Sequence, residues 1–206
     1  MSDPPRHDFE ASYREGSPPW DVGAPQPEIV RLAAEGEIVG DVLDVGCGTG
    51  ENALHLAALG HRVVGIDVAP TAVARAREKA AARGLPASFL VADALDLGKL
   101  RRRFETALDC GCFHTFAPEQ RRTYAHSLCE VLSPGGTLQL LCFSDEEPGA
   151  QGPQRVSKKE LHGAFAHGWV IESIEPSRYE VRPDLKDLNF SEGGPRAWFS
   201  VIRRSG

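Results

Sequence analysis

The segment from Val42 to Gly50, VLDVGCGTG, constrains this 206-residue chain more than any other. A β-branched run stops at Gly46, and glycines then alternate through Gly48 and Gly50. From Glu51 to Leu59, Ala53, Leu54, Leu56 and Ala57 recur at helical spacing until Gly60 stops the run. Glycine allows positive φ and close backbone approach to a ligand, and the helix that follows offers unpaired N–H groups. A second strand, RVVGID from Arg62 to Asp67, ends in an acid about 20 residues past the first glycine. At that spacing a carboxylate receives two ribose hydroxyls. The unit predicts a nucleoside site; the bland alternative is a glycine turn that only packs the helix on the strand.

The rest of the chain repeats this grammar. Pro70 opens an Ala/Arg-rich helix that runs to Arg83 and ends at Gly84. Strands are expected at Ser88–Ala92, Thr106–Cys110 and Thr137–Phe143, with a helix over Pro118–Leu132 and a turn at Ser133–Gly136. Ser157 and Glu160 form a capping box that starts a helix to Ala166. Trp169–Ile174 and Ala197–Ile202 are the last strands, with no long helix between them. The reading is an α/β fold: a seven-stranded, mostly parallel sheet, helices on both faces and an antiparallel edge hairpin. Ser144–Val156 is a polar Gly/Pro-rich loop after a strand's carboxyl end, where ligands bind in such sheets.

Composition narrows the partners. Lys plus Arg number 23 against 29 Asp plus Glu, a formal charge of −6, which argues against a nucleic-acid partner held through phosphates. No apolar run approaches the ~20 residues of a membrane span, and residues 1–20 lack the apolar stretch of a signal peptide. A soluble cytoplasmic protein, monomer or homodimer, is expected. The five cysteines are odd in number and scattered, which fits the same compartment. Cys110 and Cys112 form a C-x-C pair with no second close-spaced pair, and no acidic/His set stands at ligand spacing, so no metal is expected.

The glycine turn also narrows the ligand. The pattern is G-x-G-x-G, with Asp44 before it and Glu51 directly after. Carboxylates there repel a phosphate and welcome an ammonium group. S-adenosylmethionine, with an ammonium, a ribose and no phosphate, fits better than a dinucleotide.

With these residues in place, the chain resembles the class I S-adenosylmethionine-dependent methyltransferases, whose fold is Rossmann-like, over essentially its whole length. LDVGCGTG matches their first motif, Asp67 in VVGIDVAP their second and VADAL their third. ALDCGCFHTF matches the fourth, and LSPGGTLQL before the fifth strand is also typical. The resemblance implies that Asp44, Gly46, Cys47, Gly48, Gly50 and Asn52 surround the cofactor, with Asp67 and Val68 at the ribose. It places Asp93 at the adenine amino group, Ala94 beside the ring, and Cys110 beneath the methyl donor. More finely, SPPWDVGAPQPEIVRLA and GAQGPQRVSKKEL are similar to segments of the thiopurine, thiol and halide methyltransferases and of the tellurite-resistance methyltransferases. That similarity implies that Trp20 lies over the cofactor and that an arm and lid region, residues 1–35, covers a methyltransferase domain of residues 36–206.

The implied function is methyl transfer to a small molecule, with a thiol, halide or other soft nucleophile as acceptor. The alternative is N- or O-methylation of a specialised metabolite with His114 as base, since hydroxyls and amines usually need a proton acceptor. A third reading is a methyltransferase-like module that acts only through partners. His114, just past the fourth strand, is the catalytic candidate, as base or hydrogen-bond partner; the alternative is a residue capping the loop. Tyr13, Cys112, Phe113, Phe143 and Arg155 are the substrate-side candidates. Phe113 and Phe116 either wall the methyl site or belong to the core. Arg155 either binds an anionic substrate group or is a solvated loop charge.

Overall fold

A computed structural model describes residues 7–182 and 190–206. Two short helices, α1 (Phe9–Glu15) and α2 (Pro27–Ala34), precede β1 (Asp41–Val45), α3 (Glu51–Ala58), β2 (Arg62–Asp67), α4 (Pro70–Arg83) and β3 (Ser88–Val91). Then come β4 (Phe104–Cys110), α5 (Pro118–Cys129), β5 (Leu132–Phe143), α6 (Lys158–Ala164), β6 (Trp169–Arg178) and β7 (Arg196–Arg204). A 3-10 stretch kinked at Asp96 occupies Ala94–Leu100, and a single 3-10 turn occupies Phe113–Thr115.

The strands form one seven-stranded sheet in the order β3-β2-β1-β4-β5-β7-β6. The pairs from β3 to β5 are parallel. β7 lies antiparallel between β5 and β6, which gives the expected edge hairpin. Strand order reverses between β1 and β4, so a crevice opens at their carboxyl ends.

Alternation along each strand divides the core. Leu43, Val45, Leu138, Leu140 and Cys142 point to the face covered by α5 and α6. Val42, Leu108, Leu141, Phe143 and Phe199 point to the face covered by α2, α3 and α4. Burial on both faces explains why the central strands read as nearly continuous apolar runs.

Several expected boundaries moved. The helix drawn to Leu132 ends at Cys129, and Leu132 already belongs to β5, opposite Phe104. Both side chains are fully buried, so pairing there outweighs one more helical turn. The register shift between Phe104 and Thr106 absorbs Ser133–Gly136 as an irregularity within the strand pairing. The last hairpin also extends further, with β6 running through Pro176 to Arg178. Proline is tolerated there because β6 is an edge strand. The capping box of α6 forms as the sequence implies, with Ser157 Oγ accepting from Glu160 N–H at 3.2 Å and Glu160 Oε2 accepting from Ser157 N–H at 2.8 Å.

Candidate cofactor and acceptor site

After β1 the chain turns through Gly46, Gly48 and Gly50 into α3. All three glycines have positive φ. All three also yield space that side chains from elsewhere occupy, Gly50 to the Phe89 ring at 2.9 Å. A Cβ on Gly48 would lie 2.7 Å from the Tyr13 hydroxyl, and one on Gly46 would lie 2.9 Å from Cys112 Cβ. The turn is therefore met by α1 and by the connection that follows β4.

Asp44 points toward α3 and is 1% exposed. Its Oδ2 has no hydrogen-bond partner. Burial pushes the carboxyl up to about 7, against the pull of the Ala53 N–H, and the charges of Asp109 and Asp67 add to the rise. A buried carboxylate oxygen without a partner matches a ligand cation that brings N–H donors. The ammonium of an amino acid is such a cation.

Asp67 ends β2. Its Oδ2 accepts from Gly48 N–H and its Oδ1 from Ala69 N–H, both at 2.9 Å. Burial raises this carboxyl, and those N–H groups pull it back in part. Each oxygen keeps accepting capacity for a hydroxyl. Val68, half exposed, follows. Ala92 N–H donates to Asp67 O at 3.0 Å, which lays the Asp93–Ala94 segment beside this turn. Asp93 caps its own 3-10 turn through Leu95 N–H at 2.9 Å. Burial pushes the Cys47 and Cys110 thiols up, which keeps both as poor nucleophiles. Asn52 accepts from Gln26 N–H at 2.9 Å and bonds the Cys110 thiol.

The arm is clasped to these same turns. Glu10 accepts from Thr71 N–H (3.0 Å) and Oγ1 (2.6 Å) at the start of α4. Arg75 donates to the carbonyls of Tyr13 and Gly16. Asp21 accepts from the Thr49 hydroxyl at 2.8 Å, inside the glycine turn. Trp20 Nε1 donates to Tyr13 Oη at 2.9 Å. Burial, then the charge of Asp67, pushes the Tyr13 phenol up. Gln26 exchanges two 2.9 Å bonds with the backbone of Glu180, tying the arm to the segment after β6. A cavity of about 570 Å³ lies between arm residues Ser17–Gly23, α4 and Arg182, with Thr49 in its lining.

Beyond β4 the polar groups pair internally. Asp109 accepts from Cys112 N–H (2.8 Å), Phe113 N–H (3.0 Å) and the Tyr124 hydroxyl (2.7 Å). His114, 6% exposed, accepts at Nδ1 from Phe143 N–H at 3.1 Å. A neutral imidazole that accepts at one nitrogen carries its proton on the other, so Nε2–H is a donor. It lies 3.6 Å from where Gly111 would carry a Cβ. Burial, then the cations of Arg121 and Arg155, holds the imidazole down at about 3. This geometry opposes the expectation of a base, because the ring offers a proton and takes one poorly.

The substrate candidates separate. Phe143 packs edge-on to His114 at 5.2 Å and against Tyr179 at 5.2 Å, at the carboxyl end of β5. Phe113 is fully buried, stacked on Phe165 at 5.7 Å, and so serves the core. Phe116 lies with it, 5.0 Å from Tyr124. Arg155 donates to the carbonyls of Glu147, Pro148, Gly149, Gln151 and Pro153. Its guanidinium also lies over the Phe143 ring at 5.2 Å. Those bonds engage the guanidinium with the chain's own carbonyls and shape the loop.

Other residues of the site carry weaker sequence signals. Tyr179 donates to Leu141 O, which also accepts from Gly111 N–H at 3.1 Å. Glu147, buried, accepts from Ser191 N–H (3.0 Å) and Arg196 N–H (2.8 Å). Asp109 had a readable signal, an acid inside a buried strand between Leu108 and Cys110. Tyr179 and Glu147 had none, since their partners lie 38 or more positions away.

The described helices include none long and apolar enough to cross a membrane. A protein-family description, "Methyltransferase domain", matches residues 42–136. The chain is 39% identical over 196 residues to a 2-heptyl-1-hydroxyquinolin-4(1H)-one methyltransferase of Mycobacteroides abscessus, covering 90% of this chain and 85% of that protein. It is 34% identical over 189 residues to a probable thiol methyltransferase 2 of Arabidopsis thaliana, covering 89% and 82%. A solved structure described as "Conversion of a Disulfide Bond into a Thioacetal Group during Echinomycin Biosynthesis" superposes with a TM-score of 0.86 at 41% identity, over 97% of this chain and 91% of that one. Sequence and fold thus agree with the reading of the glycine turn, and the chain belongs to the S-adenosylmethionine-dependent methyltransferases.

Proposed function

We propose that this methyltransferase alkylates a soft sulfur nucleophile on a small molecule. The supporting observation is the tautomer of His114. A thiolate or a neutral sulfur attacks without surrendering a proton to the enzyme, whereas an alcohol or ammonium must lose one. His114 presents Nε2–H and is held neutral. Asp109 is committed to its donors. The relative whose name mentions a thiol and the structure whose description mentions a disulfide favour sulfur as well.

In this reading Asp44 Oδ2 pairs with the cofactor's ammonium. Asp67 accepts its ribose hydroxyls, with Val68, Asp93 and Ala94 around the base. Gly46, Cys47, Gly48, Gly50, Asn52 and Cys110 form the floor. When bound, S-adenosylmethionine supplies a methyl on a sulfonium, so the leaving group departs as a neutral thioether. The chain's own work is to align an acceptor near attack distance and to keep water out. Gly111, Cys112, Phe143 and the Nε2–H face of His114 line the acceptor side. Tyr13 and Trp20, within the arm of residues 1–35, cover the cofactor side.

A second reading, transfer to a hydroxylated heterocycle, draws on the Mycobacteroides relative. It needs an acceptor that arrives already ionised. The test is S-adenosylhomocysteine formation, followed by mass spectrometry, with small thiols, an alkyl disulfide, iodide, phenols, an N-hydroxy heterocycle and amines. Turnover with the sulfur acceptors is expected. Turnover confined to amines or unactivated phenols would overturn the proposal.

A further inference from the structure

The turn after β4 joins the two halves of the site, and its conformation depends on one buried side chain. Asp109 is 1% exposed. Its Oδ1 accepts from Cys112 N–H, its Oδ2 from the Tyr124 hydroxyl, and Phe113 N–H reaches both oxygens, at 3.2 and 3.0 Å. Burying a carboxylate is costly, and a well-packed apolar residue would often be no less stable there. The arrangement nevertheless gathers donors from the backbone just past the strand and from α5 onto this one anion.

The turn so held serves both ligands. Cys112 is seated against Gly46, where a Cβ would collide with it. Two residues on, His114 is placed to accept from Phe143 N–H, the bond that fixes its proton on Nε2. Thr115 closes the turn through its hydroxyl to Cys112 O at 2.6 Å. We propose that Asp109 is a positioning residue, a buried anion that holds the Gly111–Thr115 turn so that His114 presents Nε2–H to the acceptor.

A carboxylate suits this place because the backbone N–H groups of Cys112 and Phe113 can only donate and the Tyr124 hydroxyl donates here as well, so both oxygens are used as acceptors. An asparagine would turn its NH₂ toward Phe113 N–H or the Tyr124 hydroxyl. The inference concerns the acceptor side and so rests on the proposed methyl transfer to sulfur, but its main readout needs no acceptor.

The test uses the full chain with Asp109→Asn and Tyr124→Phe. NMR of His114 is the first measurement. The charged or titratable groups facing the imidazole are Arg121, Arg155 and the Tyr179 phenol. In the wild type the ring stays neutral across pH 5–8. In Asp109→Asn the released turn frees Nδ1, and the ring nitrogens show a mixture of the two neutral tautomers in place of Nε2–H alone. On a thiol acceptor, kcat falls about 10–100-fold, while S-adenosylhomocysteine affinity by calorimetry stays within about threefold. Tyr124→Phe keeps the backbone donors and lowers kcat only severalfold. A His114 that keeps its proton on Nε2 alone in Asp109→Asn would overturn the proposal. If that variant does not fold, an unchanged kcat in Tyr124→Phe would do the same. An enzyme inactive on every thiol but showing the His114 tautomer mixture would keep the positioning role and refute only the acceptor.

Discussion

The cofactor side and the acceptor side of this molecule solve opposite problems. From Asp44 to Asp67 one supersecondary unit supplies a turn, a helix start and two buried carboxylates. One of those oxygens, Asp44 Oδ2, is left without a partner. The acceptor side draws on β4, β5, the loop after it and the segments flanking the β6–β7 connection. There Asp109, Tyr179 and Arg155 spend their polar atoms on the protein itself, and His114 spends Nδ1 while keeping Nε2–H as a donor. The difference teaches that the first region can grip a ligand by charge, whereas the second holds its shape and excludes water. A family can then keep one half and vary its acceptor through the other, because the second half is set by loop packing.

The largest expected effect tests the grip. Asp67→Ala removes the two charge-assisted bonds proposed to the ribose, and affinity for S-adenosylhomocysteine should drop by about 2–4 kcal/mol. Calorimetric titration reads it directly, and unchanged affinity would remove Asp67 from the cofactor site. Asp44 gives the next effect, through pH. With its carboxyl pushed up to about 7, it loses its charge below neutrality, so S-adenosylhomocysteine affinity should weaken by up to about tenfold per pH unit below 7. Asp44→Asn should flatten that slope.

Stability carries opposite signatures at Asp44 and at His114, whereas Asp109, its carboxyl raised to about 6 by burial, follows the sign of Asp44. Asp44, raised from 3.8 to about 7, favours the folded state most in acid, and that contribution is lost as pH rises to 7. His114, lowered from 6.5 to about 3, contributes fully above 6.5 and loses its contribution as pH falls toward 3. Denaturant titrations of Asp44→Asn and His114→Gln should therefore tilt in opposite directions between pH 4 and 7. Parallel slopes would break the contrast.

The same contrast explains what could be read from the chain. Val42–Gly50 and Asp67 are local signals, with turn, helix start and acid within one βαβ stretch, and they led to the family and to the cofactor. The strands and the capping box at Ser157 were legible for the same reason. The β5 start at Leu132 was not, because pairing with Phe104 is a tertiary matter. Arg155 read as either an anion binder or a solvated loop charge, since a loop arginine advertises charge. Only the fold shows five carbonyls curled around it. The place of His114 just past β4 was legible, but its tautomer was not, because the proton's place is decided by an N–H 29 residues away.

Arg155→Met tests the shaped side at a smaller scale. The aliphatic stem still covers Phe143, while the carbonyls of residues 147–153 lose their common donor. Acceptor KM should rise about 3–10-fold, with S-adenosylhomocysteine affinity unchanged. A change in cofactor affinity instead would mean that this loop serves the other half.

The smallest effect lies in the cover. Trp20 is 42% exposed, so its ring adds little to the core. Its Nε1–H bond to Tyr13 Oη, however, steadies a hydroxyl lying where Gly48 has no Cβ. Trp20→Phe keeps an aromatic ring and removes the donor; Tyr13→Phe removes the acceptor. Each should speed S-adenosylhomocysteine release about 2–5-fold, as expected for one partly exposed neutral hydrogen bond. The two losses are the same bond, so the double variant should release product no faster than the more affected single one. Stopped-flow displacement measures all three rates. Additive effects would mean that Trp20 and Tyr13 hold the cofactor independently, and that the arm closes by surface packing with no latch between them.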